Sequence, residues 1–255
     1  MSQFVEVKVE NGIQLITINR PEKKNALLQE MYAVLADSLF GADDNPDIRV
    51  TVITGVEDSF TSGNDLGDFL NNPAQDNETP VFRFLKALAT IKKPLIAAVN
   101  GLAVGVGTTM LMHCDLVYAS KEAKLSLPFV NLALVPEAAS SYLMPKMMGH
   151  QRAAELLMLG EPFSADKAYE YGIVNEVTST DAVVSTAMEA AMKIAAKAPE
   201  AVRLAKSLLK NDGDAVLKQM DAEGQIFRSR LISDEAREAM QAFMERRAPD
   251  FSKFA

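Results

Sequence analysis

Apolar and polar residues alternate from the start of the chain. Val5, Val7 and Val9 are separated by Glu6 and Lys8, the pattern of a half-buried strand. Asn11-Gly12 reads as a two-residue hairpin turn into a second strand, Ile13 to Ile18. A polar loop, Asn19-Arg20-Pro21-Glu22-Lys23-Lys24-Asn25, separates this hairpin from a helical pattern over Ala26 to Phe40. Arg49 to Thr54 is β-branched and predicts a strand ending at Gly55, and Phe60 to Leu66 is a turn of small residues. Residues 71–80 form the most polar stretch and predict a mobile loop. Val81 to Ile91 then reads as a short helix with Phe82, Phe84, Leu85 and Leu88 in the core.

The stretch Pro94 to Ser120 organises the rest. A short apolar run, Leu95 to Val99, feeds glycines at 101, 105 and 107, a helix-like apolar segment and another short strand. The first N–H groups of a helix lack internal partners, so a strand, a glycine turn and a helix start make a fixed donor site. Close helix–strand packing would use the same glycines. Leu125 to Val135 is extended and apolar, interrupted by Pro128 and Asn131. Pro136-Glu137 predicts a helix start, with the acid in the first turn. Helix dominates from Gln151, with Ser164 as an N-cap and Val174 to Val177 as a short strand. Residues 181–247 divide into four helices at Ala198-Pro199, Asp212-Gly213 and Ser233-Asp234. The fold class is α/β with a helical C-terminal extension.

A chain of 255 residues, 48% of them hydrophobic, buries a full core as one large domain or one domain with an appendage. A net charge of −8 without a basic tail argues against nucleic acid as a partner. An anionic ligand therefore needs local cations, and Lys23/Lys24, Lys92/Lys93 and Arg246/Arg247 are available. The single Cys114 makes neither an internal disulfide nor a thiolate metal site, and reads as a buried apolar residue. No secretory signal, no apolar run near the ~18 residues of a membrane span and no S-K-L ending is visible. We expect a cytoplasmic protein with no membrane or metal partner.

Several catalytic devices are excluded. With only His113 and His150, and no G-x-S-x-G, a Ser-His-Asp triad is not assembled. His113 reads as a packed core histidine and His150 as a cap or surface residue. Gly101-x-x-x-Gly105-x-Gly107 with Tyr142-x-x-x-Lys146 imitates a short-chain dehydrogenase. The glycines lie too late and too near the tyrosine, and Pro145 is expected to break the helix carrying the pair. Ser164-Ala-Asp-Lys167 matches S-x-x-K, but a helix start explains it.

Five segments occur in an informative order. They are Asn19-Arg20-Pro21…Asn25-Ala26-Leu27, Phe60 to Leu66, Lys93 to Gly101, Cys114 to Tyr118, and Gly160 to Val177. Together they resemble the crotonase (enoyl-CoA hydratase/isomerase) superfamily over nearly the whole chain. The resemblance implies a spiral of ββα units in residues 1–190 that binds a CoA thioester, and a helical trimerisation region in residues 191–255. It implies no separate cofactor, since CoA is part of the substrate. It places an oxyanion hole at the backbone N–H groups of Asn64 and Val106, with Ser62, Gly63, Asp65, Leu66 and Gly105 around the substrate. Fixed backbone donors at a strand-to-helix junction suit that chemistry, because they need no reorganisation as charge develops. Lys24 is the first candidate for the CoA phosphates, with Lys23, Lys92 and Lys93 behind it.

The positions of the two hydratase carboxylates hold Thr109 and Phe129, neither of which can act as an acid or base near neutral pH. Asn131 to Tyr142 instead resembles the peroxisomal-type Δ3,Δ2-enoyl-CoA isomerase branch, whose lone catalytic glutamate falls at Glu137. Flanked by Val135, Ala138 and Ala139, Glu137 is either an acid facing a helix dipole or a carboxyl with a raised pKa in an apolar pocket. The resemblance thus implies a Δ3,Δ2-enoyl-CoA isomerase. Its alternatives are another CoA-thioester isomerase, one for ring-derived thioesters included, a weak hydratase, or a non-catalytic acyl-CoA-binding member. Val183, Val184, Met188, Met192, Leu208 and Leu209 exceed what one helical layer needs, and predict a trimer or a dimer of trimers.

Overall fold

The computed structural model describes residues 2–72, 76, 78–245 and 247–254. Val5–Glu10 (β1) and Ile13–Ile18 (β2) form the expected antiparallel hairpin, with Glu10 opposite Ile13 across Asn11-Gly12. Both turn residues adopt positive φ, as this two-residue turn requires. Helix α1 is Gln29–Asp44, starting later than the pattern suggested because Lys24 and Leu27 are hydrogen-bonded to the 62–65 turn. Then follow β3 (Val50–Gly55), β4 (Ser59–Thr61), α2 (Leu66–Asn71) and α3 (Pro80–Thr90). The polar stretch 71–80 thus runs from the end of α2 to the start of α3, and parts of it lie outside the described residues.

The next units are β5 (Leu95–Val99), β6 (Leu102–Val104) and α4 (Val106–Thr109), then β7 (Leu116–Ser120) and β8 (Lys124–Ser126). Helices α5 (Ser140–Met148) and α6 (His150–Ala154) lead to β9 (Phe163–Ser164), α7 (Ala165–Glu170) and β10 (Glu176–Thr178). Four helices close the chain: α8 (Val183–Ala195), α9 (Pro199–Leu209), α10 (Gly213–Leu231) and α11 (Asp234–Glu245). The Ser164 side chain caps α7 by accepting from Lys167 N–H. Residue 190 lies inside α8.

Among the described residues the strands form two sheets, β1-β2-β3-β5-β7-β10 and β4-β6-β8-β9. The three pairs β3/β4, β5/β6 and β7/β8 each send their first strand to the large sheet and their second to the small one. β3, β5 and β7 are therefore parallel neighbours, as are β4, β6 and β8. This is the spiral of ββα units. Strands β3 and β5 at the centre of the large sheet are buried on both faces, whereas Val7 and Val9 of edge strand β1, expected to be half-buried, are 40% and 49% exposed. Leu95, Ala97 and Val99 of β5 enter the main core with α1 and α3, whereas Ile96 and Ala98 face Val183, Ala187 and Ala191 of α8. Strand alternation produces that division.

The sequence-based account of the tail therefore needs correction. Val183, Val184 and Met188 pack on this chain's own sheet, while Leu208 and Leu209 on α9 are 77% and 84% exposed. Pro145 is a second correction. It sits inside α5 without ending the helix, and Lys146 Nζ does reach Tyr142 OH, at 3.1 Å. The two-sheet spiral, not the proline, excludes the dehydrogenase fold.

Candidate active site

Two glycine turns meet at one end of the small sheet. Thr61 to Asp65 is stitched to the Asn-Arg-Pro loop: Ser62 N–H donates to Lys24 O, Leu27 N–H to Gly63 O, and Asp65 N–H to Leu27 O. The buried Asn25 amide ties the same loop to Val56 O and Ser59 O. In the parallel bridge between Leu27 and Asn64, Leu27 takes both flanking groups of the 63–65 segment. The N–H of Asn64 itself is thereby turned the other way, into the cleft.

The second donor belongs to Val106, the first residue of α4, whose N–H has no intrahelical acceptor. The turns approach closely because two side chains are missing. A Cβ on Gly63 would lie 2.8 Å from Val104 O, and one on Gly107 would lie 2.7 Å from Thr61 Cγ2. Gly63 also adopts φ +86°, a left-handed conformation open to glycine. Replacing either would push the donors apart.

Glu137 does not open a helix, contrary to the reading of Pro136-Glu137. It precedes a tight turn in which Ala138 and Ala139 have φ 57° and 56°, and α5 begins only at Ser140. Ser140 N–H and its hydroxyl both donate to Glu137 O, at 3.0 and 2.7 Å. His113, a buried core histidine as expected, places Nε2 2.8 Å from Ala138 O. The Glu137 carboxyl is buried and accepts from the Thr109 hydroxyl. Burial pushes its pKa up to about 8, the Thr109 hydrogen bond opposing and the nearby Glu223 charge assisting. Thr109, at a hydratase carboxylate position, thus serves as a donor to the glutamate.

A cleft of about 480 Å³ runs past both donors. Ser62, Gly63, Asn64, Asp65, Leu66, Gly105, Val106 and Phe129 line it. The carboxylate of Asp65 is engaged elsewhere, accepting from Arg20 at 2.8 Å and from Asp68 N–H. A small inner compartment of about 20 Å³ adjoins the cleft at Asn64, Val106 and Phe227 and contains Glu137 with Val81, Phe82 and Leu85. Phe82 is thus a wall of the compartment, not only a core residue.

Lys24 pairs with Asp58 at 2.7 Å, and Lys23 is the lysine lining the cleft. Lys92 and Lys93 lie elsewhere, their N–H groups donating to Asp43. Arg247 lines the cleft but is held by Glu238 and Glu245, and Arg246 falls outside the described residues. Among the described residues no group of His, Cys, Asp and Glu side chains is arranged to hold a metal ion, and no helix is long and apolar enough to cross a membrane.

Two residues escaped the sequence analysis. Tyr32 on α1 donates its hydroxyl to Asn64 Oδ1 at 2.5 Å, and Glu223 on α10 holds the turn after Glu137. A signal existed for each. A tyrosine in an apolar helical stripe needs a partner for its hydroxyl. Glu223 shares a stripe with Met220, Gly224 and Phe227, and an acid at such a position is seldom buried without a task.

Residues 8–253 match the family model described as enoyl-CoA hydratase/isomerase. The chain belongs to the enoyl-CoA hydratase/isomerase family, within the crotonase superfamily. It is 33% identical over 260 residues to the 1,2-epoxyphenylacetyl-CoA isomerase of Escherichia coli (strain K12), covering 99% of each chain. It is 37% identical over 254 residues to the enoyl-CoA delta isomerase 2 of Rattus norvegicus, covering 96% of this chain and 64% of the rat protein. It thus spans just under two thirds of that relative. The crystal structure of an enoyl-CoA hydratase/isomerase from Pseudoalteromonas atlantica T6c superposes with a TM-score of 0.94 at 43% identity, covering 98% of this chain and 100% of that one. For a member of this family an acyl-CoA thioester is a consistent substrate, and a cleft joining two backbone donors to a buried carboxyl is suited to it.

Proposed function

We propose that the protein is a Δ3,Δ2-enoyl-CoA isomerase. The observation that carries this reading is the single carboxyl of the inner compartment, Glu137, placed where the cleft narrows past the Asn64 and Val106 N–H groups. A 3-enoyl thioester puts its carbonyl oxygen between the two donors and its C2 and C4 near Glu137. The carboxylate takes a proton from C2, and the C–H electron pair delocalises through C1 onto the oxygen, giving a dienolate. The same carboxyl returns the proton to C4: the C3–C4 π pair forms the new C4–H bond, the C1–C2 pair of the dienolate moves to C2–C3, and the oxygen's pair restores the C1 carbonyl. Atoms and electrons balance without a cofactor or an added water. Hydration calls for a second group to position water, and Thr109 and Phe129 do not supply one.

A burial-raised carboxyl argues against a non-catalytic acyl-CoA binder, which has no use for it. Similarity to an isomerase of an epoxyphenylacetyl thioester keeps a ring-bearing acyl group as the second reading. Supplying 3-enoyl-CoA and following absorbance of the conjugated product tests the first. No absorbance change, with turnover of a ring thioester alone, favours the second.

We place the CoA phosphates on the cleft rim at Lys23, which among the described residues has no ion pair. Lys23→Ala is expected to raise KM about 3-fold at low salt, a difference that shrinks as salt is added. Lys24→Ala, whose ammonium already faces Asp58, is expected to do less. A KM equal to the parent's for Lys23→Ala at low salt removes this assignment. The exposed Leu204, Leu208 and Leu209 of α9 support a trimer or a dimer of trimers. Light scattering at micromolar concentration is expected to give three or six chain masses, and a monomer mass refutes it.

A further inference from the structure

Glu223 stands on α10, and the turn it touches lies more than 80 residues earlier in the chain. The residue is 5% exposed. Oε2 accepts from Ala139 N–H at 2.6 Å, and Oε1 accepts from Ser141 N–H at 3.0 Å and from the Ser141 hydroxyl. Gln219, one turn earlier on α10, donates to that hydroxyl at 2.8 Å. Taking a carboxylate out of water is costly unless donors replace the water. Here the donors come from the start of α5, whose own N–H groups would otherwise be unpartnered.

What the carboxylate grips is a strained turn. Ala138 and Ala139 both adopt the left-handed region, which a residue with a Cβ occupies only when its surroundings insist. Three groups do so: Glu223 at Ala139 N–H, His113 at Ala138 O, and Ser140 at Glu137 O. The Glu137 side chain departs from that turn, so its aim depends on them.

We propose that Glu223 is a positioning residue for Glu137, clamping its turn from α10 and placing one fixed negative charge behind the reacting carboxyl. The proposal rests on reading Glu137 as the base. The titratable groups around Glu137 come from three elements. Tyr32 on α1 is neutral, its phenol raised by burial, and its own further neighbour Asp68 on α2 is held by Gln29 N–H and the Asn72 amide. His113 is also neutral at working pH, since burial takes it down to about 4. Glu223 remains as the facing charge. Burial raises its own carboxyl, and the hydrogen bonds from Ser141, Ala139 and Gln219 oppose that rise. Its repulsion adds to the burial of Glu137 and strengthens Glu137 as a base. A neutral side chain in its place would relax both the aim and the basicity.

The test compares the parent with E223Q, E223D, S141A and E137Q, using 3-enoyl-CoA as substrate. E223Q keeps the size, loses the charge and turns an amide toward N–H groups. It is expected to lower kcat about 10–100-fold with KM within about 3-fold, because misplacement of a reacting group acts on kcat. The acid limb of its kcat–pH profile should move to lower pH by ~0.5–1 unit, since an anion facing the base is gone. E223D keeps the charge, so its limb should stay at the parent's pH while part of kcat returns. A parent-like kcat for E223Q, or an unmoved limb, overturns the proposal, since a purely structural role changes no apparent pKa. If E223Q does not fold, S141A decides: kcat down about 3-fold or more at unchanged KM supports the clamp, and unchanged kcat overturns it. E137Q separates the two assignments. Activity in E137Q removes the reading of Glu137 itself, whereas an inactive E137Q beside a parent-like E223Q removes only the role of Glu223.

Discussion

Glu137→Gln is expected to lower kcat for 3-enoyl-CoA isomerisation by about 10²–10⁴-fold, the range that positioned acid–base catalysis contributes, while acyl-CoA still binds. Glutamine fills the same buried space and still accepts from Thr109, but it cannot take the C2 proton. The parent's rate should rise about tenfold per pH unit toward about 8, where burial places the Glu137 carboxyl, and level off above it. The same substitution has an opposite effect on stability. The carboxyl titrates at about 8 in the folded chain against 4.5 ordinarily. Below the lower value it is neutral in both states. As pH rises between them the unfolded chain ionises first, so folding loses up to about 1.4 kcal/mol per unit. Glu137→Gln removes that loss, and its Tm should exceed the parent's at pH 8 but not at pH 4.5. Isomerisation by Glu137→Gln near the parent rate refutes the catalytic role. A Tm difference independent of pH refutes the raised carboxyl.

The features that were legible in the chain are those set by local chemistry. Asn11-Gly12 specifies its hairpin, and the last three helices begin at Pro199, Gly213 and Asp234, at the three breaks the sequence predicted. Glu137 was legible as a candidate, but its surroundings were not. The rule for proline and a first-turn acid put a helix start at Pro136, whereas α5 begins at Ser140 after two left-handed alanines. The hydrogen bonds that make this later start favourable come from Glu223, 84 residues away from Ala139. No local pattern carries that information. Strands β4, β6 and β8 have three residues each, too few to show a period. No periodicity therefore marked the small sheet, and the meeting of the two glycine turns was expected only through the family resemblance. Pro145 shows the same limit from the other side, since packing holds a helix through a residue that local rules treat as a stop.

Asn64→Pro and Asn64→Ala should separate backbone from side chain in the proposed oxyanion site. Proline removes the Asn64 N–H, and loss of one such donor typically costs about 10²–10³ in kcat. Alanine keeps that N–H, and Leu27 still pairs with Gly63 O and Asp65 N–H to aim it. Asn64→Ala should therefore keep most of the activity. It should nonetheless lose stability, because Asn64 Oδ1 is the acceptor for the buried Tyr32 hydroxyl. A buried hydroxyl left unpaired costs about 1–3 kcal/mol, and Tyr32→Phe in the Asn64→Ala background should restore much of that Tm by removing the orphaned group. The side chain then acts on stability and the main chain on rate. The pair of readouts is decisive: if Asn64→Ala loses kcat as heavily as Asn64→Pro while remaining folded, the carboxamide and not the backbone stabilises the dienolate oxygen.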